Sequence, residues 1–321
     1  MKKSLFSARR AVSENGQLGL IETGCIEESL MRRGLRMGRD EDSVLELHAE
    51  TPTLSAPFKM FQNLREYRHL LRHFISRDLK TRYHGSIIGW GWSIAEPLAL
   101  TVTFYILFAI LSDSTDPYRP FNILVGILAW TFFSRTFSGG TTSLQRNSGL
   151  IQRIYFPREI FLFSGAGFQL VQMLLSMIVL IPLLYHYDLI PTMQILYFPV
   201  AVLLIGMLGL GLAFFTSIVQ TRVRDMEHIV TVVLRIGFYM TPVFYNLDMI
   251  TQSRIPAEYS DIYLYANPMA TYLTMIRCAF TGEPLGISNE HLVVTISSTI
   301  LIFLLGSMFF MRKERKAVKN I

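Results

Sequence analysis

Six stretches of this 321-residue chain, approximately 93–112, 121–137, 161–185, 195–219, 229–245 and 292–311, are long and apolar enough to be read as membrane-crossing helices. A helix needs about 20 mainly apolar residues to cross the hydrocarbon, with a range of roughly 17–25. No water is available there to satisfy peptide groups, so such segments are confined to helices that bond within themselves. The expected fold is therefore an all-α integral membrane protein with six spans. The second and fifth stretches are short, and each carries an arginine, Arg135 and Arg235. At a span centre an arginine costs about 2.5–3.5 kcal/mol on insertion scales, so both should face protein, water or headgroups. Arg135 lies near a span end, where it can snorkel.

Charge sets the expected orientation. Only 17% of residues are charged against 51% hydrophobic, which excludes a disordered chain, and the formal net charge is +6. Residues 1–59 carry nine basic and nine acidic side chains, so the whole excess belongs to the apolar part. With the amino terminus inside, segments 60–92, 138–160, 220–228 and 312–321 hold sixteen Lys and Arg, whereas 113–120, 186–194 and 246–291 hold three. Cytoplasmic loops retain basic residues, so both termini are expected in the cytoplasm. The basic balance therefore reads as membrane topology and not as a nucleic-acid footprint.

Flanking regions have their own character. Residues 1–59 lack a sustained apolar period and read as a mostly disordered cytoplasmic extension before a six-span membrane domain at 60–321. From 62 to 82, Leu64, Tyr67, Leu71, Phe74 and Ile75 share one helical face, while Arg65, Glu66, His69, Arg72, His73 and Lys80 share the other. Such a helix suits the cytoplasmic membrane interface. The segment 246–291 contains a moderately apolar stretch, 262–280, interrupted by Asn267 and Pro268. It is expected to form re-entrant or interfacial helices on the outer side.

Enzymatic chemistry has no constellation to rest on. The sequence contains no GxxxxGK[ST] phosphate loop, no HExxH and no GxSxG, and Glu96 is the only acid in a predicted span. The two cysteines, Cys25 and Cys278, have neither metal-ligand spacing nor a disulfide framework around them. No resident cofactor or metal is expected, nor catalysis by this chain. A six-span bundle without an energy source of its own is a passive pore or is driven by a partner.

Three stretches are specific enough to carry a resemblance. The first is Arg77-Asp-Leu-Lys-Thr-Arg-Tyr83, followed by Gly89-Trp-Gly-Trp92 and Pro97. The second is Asn147-Ser-Gly-Leu-Ile-Gln-Arg-Ile-Tyr-Phe-Pro-Arg-Glu159. The third is Arg222-Val-Arg-Asp225 with Tyr239-Met-Thr-Pro-Val-Phe-Tyr245 and Asn267-Pro268. In this order they resemble the membrane subunit of bacterial ABC-type polysaccharide exporters, the family that moves O-antigen, capsule and teichoic-acid chains. Glu96, Thr241 and Arg235 depart from the family's pattern.

That resemblance implies a homodimer driven by a pair of ATP-binding subunits, which would hold the ATP and Mg, with a lipid-linked polysaccharide as cargo. It assigns the ATPase coupling to Asn147, Leu150, Ile151, Tyr155, Phe156, Pro157, Arg158 and Glu159, with Tyr155 and Phe156 expected to be exposed as a knob. Arg77, Asp78, Lys80 and Arg82 of the interface helix would be gripped as well. Arg222, Arg224 and Asp225 either make a second contact or anchor the loop, with Asp225 capping the next helix. Phe104, Tyr105, Phe108, Trp130, Phe133 and Tyr239 are candidate sugar-stacking residues, although aromatic side chains in spans more often pack helix on helix. Arg235 is a candidate partner for the pyrophosphate of a lipid-linked glycan. A drug or lipid exporter of the same topology is the alternative. A membrane glycosyltransferase or acyltransferase would need an acid or His cluster that the sequence lacks.

Overall fold

The computed structural model describes residues 55–82, 84–111, 117–153, 156–189, 192–245 and 257–318, with the side chains of 257–261 and 318 excepted. The expected extension at 1–59 therefore lies almost entirely outside the described residues. All regular structure among the described residues is helical: α1 (Ala56–Glu66), α2 (Arg68–Arg82), α3 (Trp92–Leu111), α4 (Arg119–Arg146), α5 (Ser148–Ile151), α6 (Glu159–Ser176), α7 (Leu180–His186), α8 (Tyr197–Gln220), α9 (Met226–Met240), α10 (Ala257–Ala266), α11 (Pro268–Thr281) and α12 (Asn289–Val318).

Four helical stretches are long and apolar enough to cross a membrane: Gly89–Leu111, Glu159–His186, Met193–Gln220 and Asn289–Ala317. They coincide with the expected first, third, fourth and sixth spans. The expected second span falls inside α4, which is 28 residues long but mixes its apolar run with Ser, Thr and Arg. The expected fifth falls on α9, which has 15 residues and ends where Thr241 turns extended before Pro242.

At the centre, α8 packs lengthwise against α4 and α12. Small residues let the backbones touch: a Cβ on Gly211 would strike the backbone of Phe303, and one on Gly306 would strike Gly211. On the other side of α8, Gly140 of α4 lies against the Cβ of Ala213. Apolar side chains gain little from leaving lipid for protein, so close van der Waals approach is what holds such crossings.

The first apolar helix contains Pro97, whose missing N–H frees the carbonyl of Ser93 four residues earlier. Ser176 of α6 donates its hydroxyl to that carbonyl at 2.7 Å, and the Ser93 hydroxyl donates to Gln172 at 2.8 Å. Pro97 is tolerated because a neighbouring helix supplies the missing donor.

The amphipathic face read at 62–82 is present, divided into α1 and α2 by an irregular residue at Tyr67. Phe74 is buried, and Leu64, Tyr67, Leu71 and Ile75 are half-buried, while the predicted polar residues are exposed. This face packs along α6, where Ile75 lies against Gly167. Between Asn267 and Pro268 the chain breaks into α10 and α11, the interruption expected from those residues. Most of α11 is buried inside the protein, and Gly282 (φ +74) closes it in the left-handed conformation.

Candidate functional site

One end of the bundle gathers the basic segments. Gln145 of α4 meets Gln220 of α8, Asn63 of α1 meets Glu159 at the start of α6, and α12 packs against α1. The segment 147–159 and the loop 221–225 therefore emerge on the same end surface, as the basic-inside reading requires. Tyr155, together with Ile154, lies outside the described residues.

Asn147 ends α4, with its side-chain amide donating to the Ser143 carbonyl at 2.8 Å, and opens the single turn of α5. Leu150 is half-buried and Ile151 buried, so both face the bundle. Phe156 corrects the expectation of an exposed knob. It is only 8% exposed and forms a three-ring cluster with Phe74 and Phe161, at centroid distances of 6.2 and 5.1 Å, while Phe74 stacks on Phe161 at 5.4 Å. The physical reason is that α2 lies over the start of α6, and Phe156 fills the junction. What projects outward is polar: Gln152 and Arg153 are exposed. Pro157 and Arg158 are half-buried; Glu159 is buried and accepts a hydrogen bond from the Asn63 amide at 2.7 Å.

In α2, Arg77 and Asp78 form an ion pair at 2.8 Å, and Arg77 also covers the Phe74 ring. Lys80 and Arg82 are exposed, the latter with its guanidinium over Phe168. Arg222, Arg224 and Asp225 are all exposed. Asp225 occupies the N-cap position of α9 but makes no capping bond. The cap is supplied by Gln220 instead, whose Oε1 accepts from the Glu227 N–H at 2.8 Å.

A second feature is an open groove of about 320 Å³ between α4 and α9, lined by Trp130, Ser134, Ser138, Thr231, Leu234, Arg235 and Phe238. Arg235 is exposed in it, beside hydroxyls and two aromatic rings. Most of α9 is exposed, while Val230 is buried and Met226, Leu234 and Phe238 are half-buried. The candidate aromatic residues divide here. Phe104 stacks on Phe244 at 3.9 Å, and Phe108 also adjoins Phe244. Trp130 and Phe133 are buried against each other at 5.4 Å. These four pack between helices, with Trp130 alone among them reaching the groove, because α3, α4 and α9 meet through their rings. Tyr105 and Tyr239 are exposed.

Arg135 does more than snorkel. Its guanidinium contacts the Glu96 carboxylate at 2.6 Å across α3 and α4, so two residues that each looked unusual in a span satisfy one another. Sequence reasoning missed two further groups. Gln145 and Gln220 join the helix ends beside both basic loops. Arg277, counted only as an outside charge, is buried in α11 and donates to the carbonyls of Asn122, Pro242, Val243 and Tyr245 at 3.2, 2.8, 2.9 and 3.0 Å. Its signal was available: the break at Pro242 leaves carbonyls needing donors, and 262–280 holds a single arginine. The same turn is held by Asn267 donating to Thr241, and by the hydroxyls of Tyr245 and Tyr263 on the Met240 carbonyl.

Against known proteins, residues 69–281 match the model of the ABC-2 type transporter family. The chain is 28% identical over 259 residues to the O-antigen export system permease protein RfbA of Myxococcus xanthus, an alignment covering 81% of this chain and 98% of that protein. Two proteins of the same name from Klebsiella pneumoniae are 27% and 26% identical, each alignment covering 78% of this chain and 95% of theirs.

Proposed function

The chain belongs to the ABC-2 type transporter family, and from that premise we propose that it is the transmembrane subunit of an ATP-driven exporter that carries a lipid-linked polysaccharide, of the O-antigen or capsule kind, across the bacterial inner membrane. The observation that carries this reading is the alignment over nearly the full length of three permeases named for O-antigen export. In this reading the chain catalyses nothing. ATP and Mg sit on a separate dimeric ATPase, and this chain acts as a homodimer with both termini in the cytoplasm.

Six spans follow if α4 and α9 cross the membrane beside the four longer apolar stretches. The Ser and Thr of α4 argue for that placement, since all are buried or half-buried and Arg146 is the one exposed charged side chain of the helix. The exposed face of α9 fits a helix that lines a path or meets a second copy. Segment 147–159, α2 and the exposed Arg222 and Arg224 supply the ATPase docking surface, presenting Gln152, Arg153 and Lys80 outward. ATP binding closes the motor and displaces that surface, and the path between protomers changes access from the cytoplasmic to the outer side. Tyr105 and Tyr239 offer ring faces to sugars, and Arg235 offers a fork to the pyrophosphate.

The test is deletion of the gene. Loss of surface polysaccharide with lipid-linked glycan accumulating in the cytoplasm, reversed by a plasmid copy, is the expected result. Normal surface glycan refutes the assignment, and a phenotype confined to drug sensitivity favours the drug-exporter alternative.

A further inference from the structure

We infer that Gln145 and Gln220 are positioning residues that carry a displacement of segment 147–159 to α9, the helix that walls the groove. Gln145 lies in the last turn of α4, two residues before Asn147. Gln220 is the last residue of α8 and only 2% exposed. The two amides face each other reciprocally: Gln145 Nε2 donates to the Gln220 main-chain carbonyl at 2.9 Å, and Gln220 Nε2 donates to Gln145 Oε1 at 3.0 Å. Gln220 Nε2 also donates to the Arg224 carbonyl at 3.1 Å, and its Oε1 accepts from the Glu227 N–H at 2.8 Å. One side chain thus grips α4, the basic loop and the first turn of α9. A buried amide with its donors and acceptor all engaged holds one geometry, because any rotation orphans a polar atom.

A purely adhesive role fits less well. One helical turn away, Thr141 and Thr216 already join α4 to α8 through hydroxyls 2.7 Å apart, and Gly140 packs on Ala213 beside them. The amide pair adds something the threonines do not, namely the link to Arg224 and Glu227. At this end Asp225 makes no capping bond, and α9 packs through the half-buried Met226 and the buried Val230. At its far end α9 runs into the turn fixed by Arg277, Tyr263 and Asn267. It is pinned at both ends and packed between them through Leu234 and Phe238 along one side, so a shift of Gln220 moves its near end.

This inference rests on the reading that an ATPase pushes on 147–159, and the experiment separates the two. In the complex with its ATPase, in liposomes, single spin labels are placed at the exposed positions Gln152→Cys and Ile229→Cys, with Cys25→Ser and the buried Cys278 retained. Spectra are compared without nucleotide and after ATP–vanadate trapping. In the parent, both labels change on trapping. In Gln145→Leu the label at 152 still changes and that at 229 does not, and polysaccharide exported per ATP hydrolysed falls at least tenfold. Thr141→Val, which cuts only the neighbouring contact, retains the response at 229. An unchanged response at 229 in Gln145→Leu overturns the relay and leaves the docking surface standing. Silence at both positions in the parent overturns the docking surface and the relay with it.

Discussion

Replacing Arg277 by methionine removes the donors that hold the turn beyond α9 while keeping an unbranched side chain of similar reach. The guanidinium serves four main-chain carbonyls, three of them in the break at Pro242, Val243 and Tyr245 and the fourth at Asn122 in α4. Hydrogen bonds from a charged donor contribute about 1.5–3 kcal/mol each, a gross loss of roughly 6–12 kcal/mol. Removing a buried charge also relieves its desolvation cost of several kcal/mol, leaving a net loss of about 3–5 kcal/mol. For a domain of this size that corresponds to an apparent Tm lower by about 6–20 °C. The assay is thermal unfolding of the detergent-purified protein, with amide exchange followed at 241–245. Arg277→Met should show the drop together with faster exchange in that turn. Arg277→Lys, a point charge unable to fork between carbonyls, should fall between the two. An Arg277→Met protein that melts within 2 °C of the parent, with the turn still protected, would refute the clamp.

Three other outcomes follow from the geometry. Arg135→Ala strands Glu96 as an unpaired acid in a span, so membrane-inserted protein falls severalfold, and the exchange Glu96→Arg with Arg135→Glu recovers most of it; quantitative immunoblotting of membranes reads both, and equal levels in all variants would dismiss the pairing. Phe156→Ala opens the three-ring junction at a cost of up to about 3–5 kcal/mol and loosens α2, which limited proteolysis detects as faster cleavage near Tyr67; an unchanged cleavage pattern contradicts the assigned seat. Arg235→Ala lowers export and the stimulation of ATPase by lipid-linked glycan at least fivefold, and activity equal to the parent rules out the phosphate contact.

How far the sequence could be read differs by feature, for physical reasons. Four helices long and apolar enough to cross a membrane were legible because apolar length is a property of one segment alone. The amphipathic face at 62–82 was legible for the same reason, through its period. Side chains whose surroundings come from distant elements were not. Phe156 looked like a protruding ring until α2 was laid over α6, and Phe104 and Phe133 looked available until α3 and α9 closed on α4. Glu96 and Arg135 each seemed a local oddity, since only the helix crossing makes them a pair. Asp225 is a good capping residue by type, yet the cap comes from Gln220, which the loop returns to the same helix end.

Inverted inner-membrane vesicles containing this chain and its ATPase, given lipid-linked O-polysaccharide on the outside, report transport as protection of the glycan from an added glycosidase. The protected fraction should rise with ATP, stay flat with a non-hydrolysable analogue, and stay flat in vesicles lacking the chain. Glycan that remains equally digestible with and without ATP would contradict the export function.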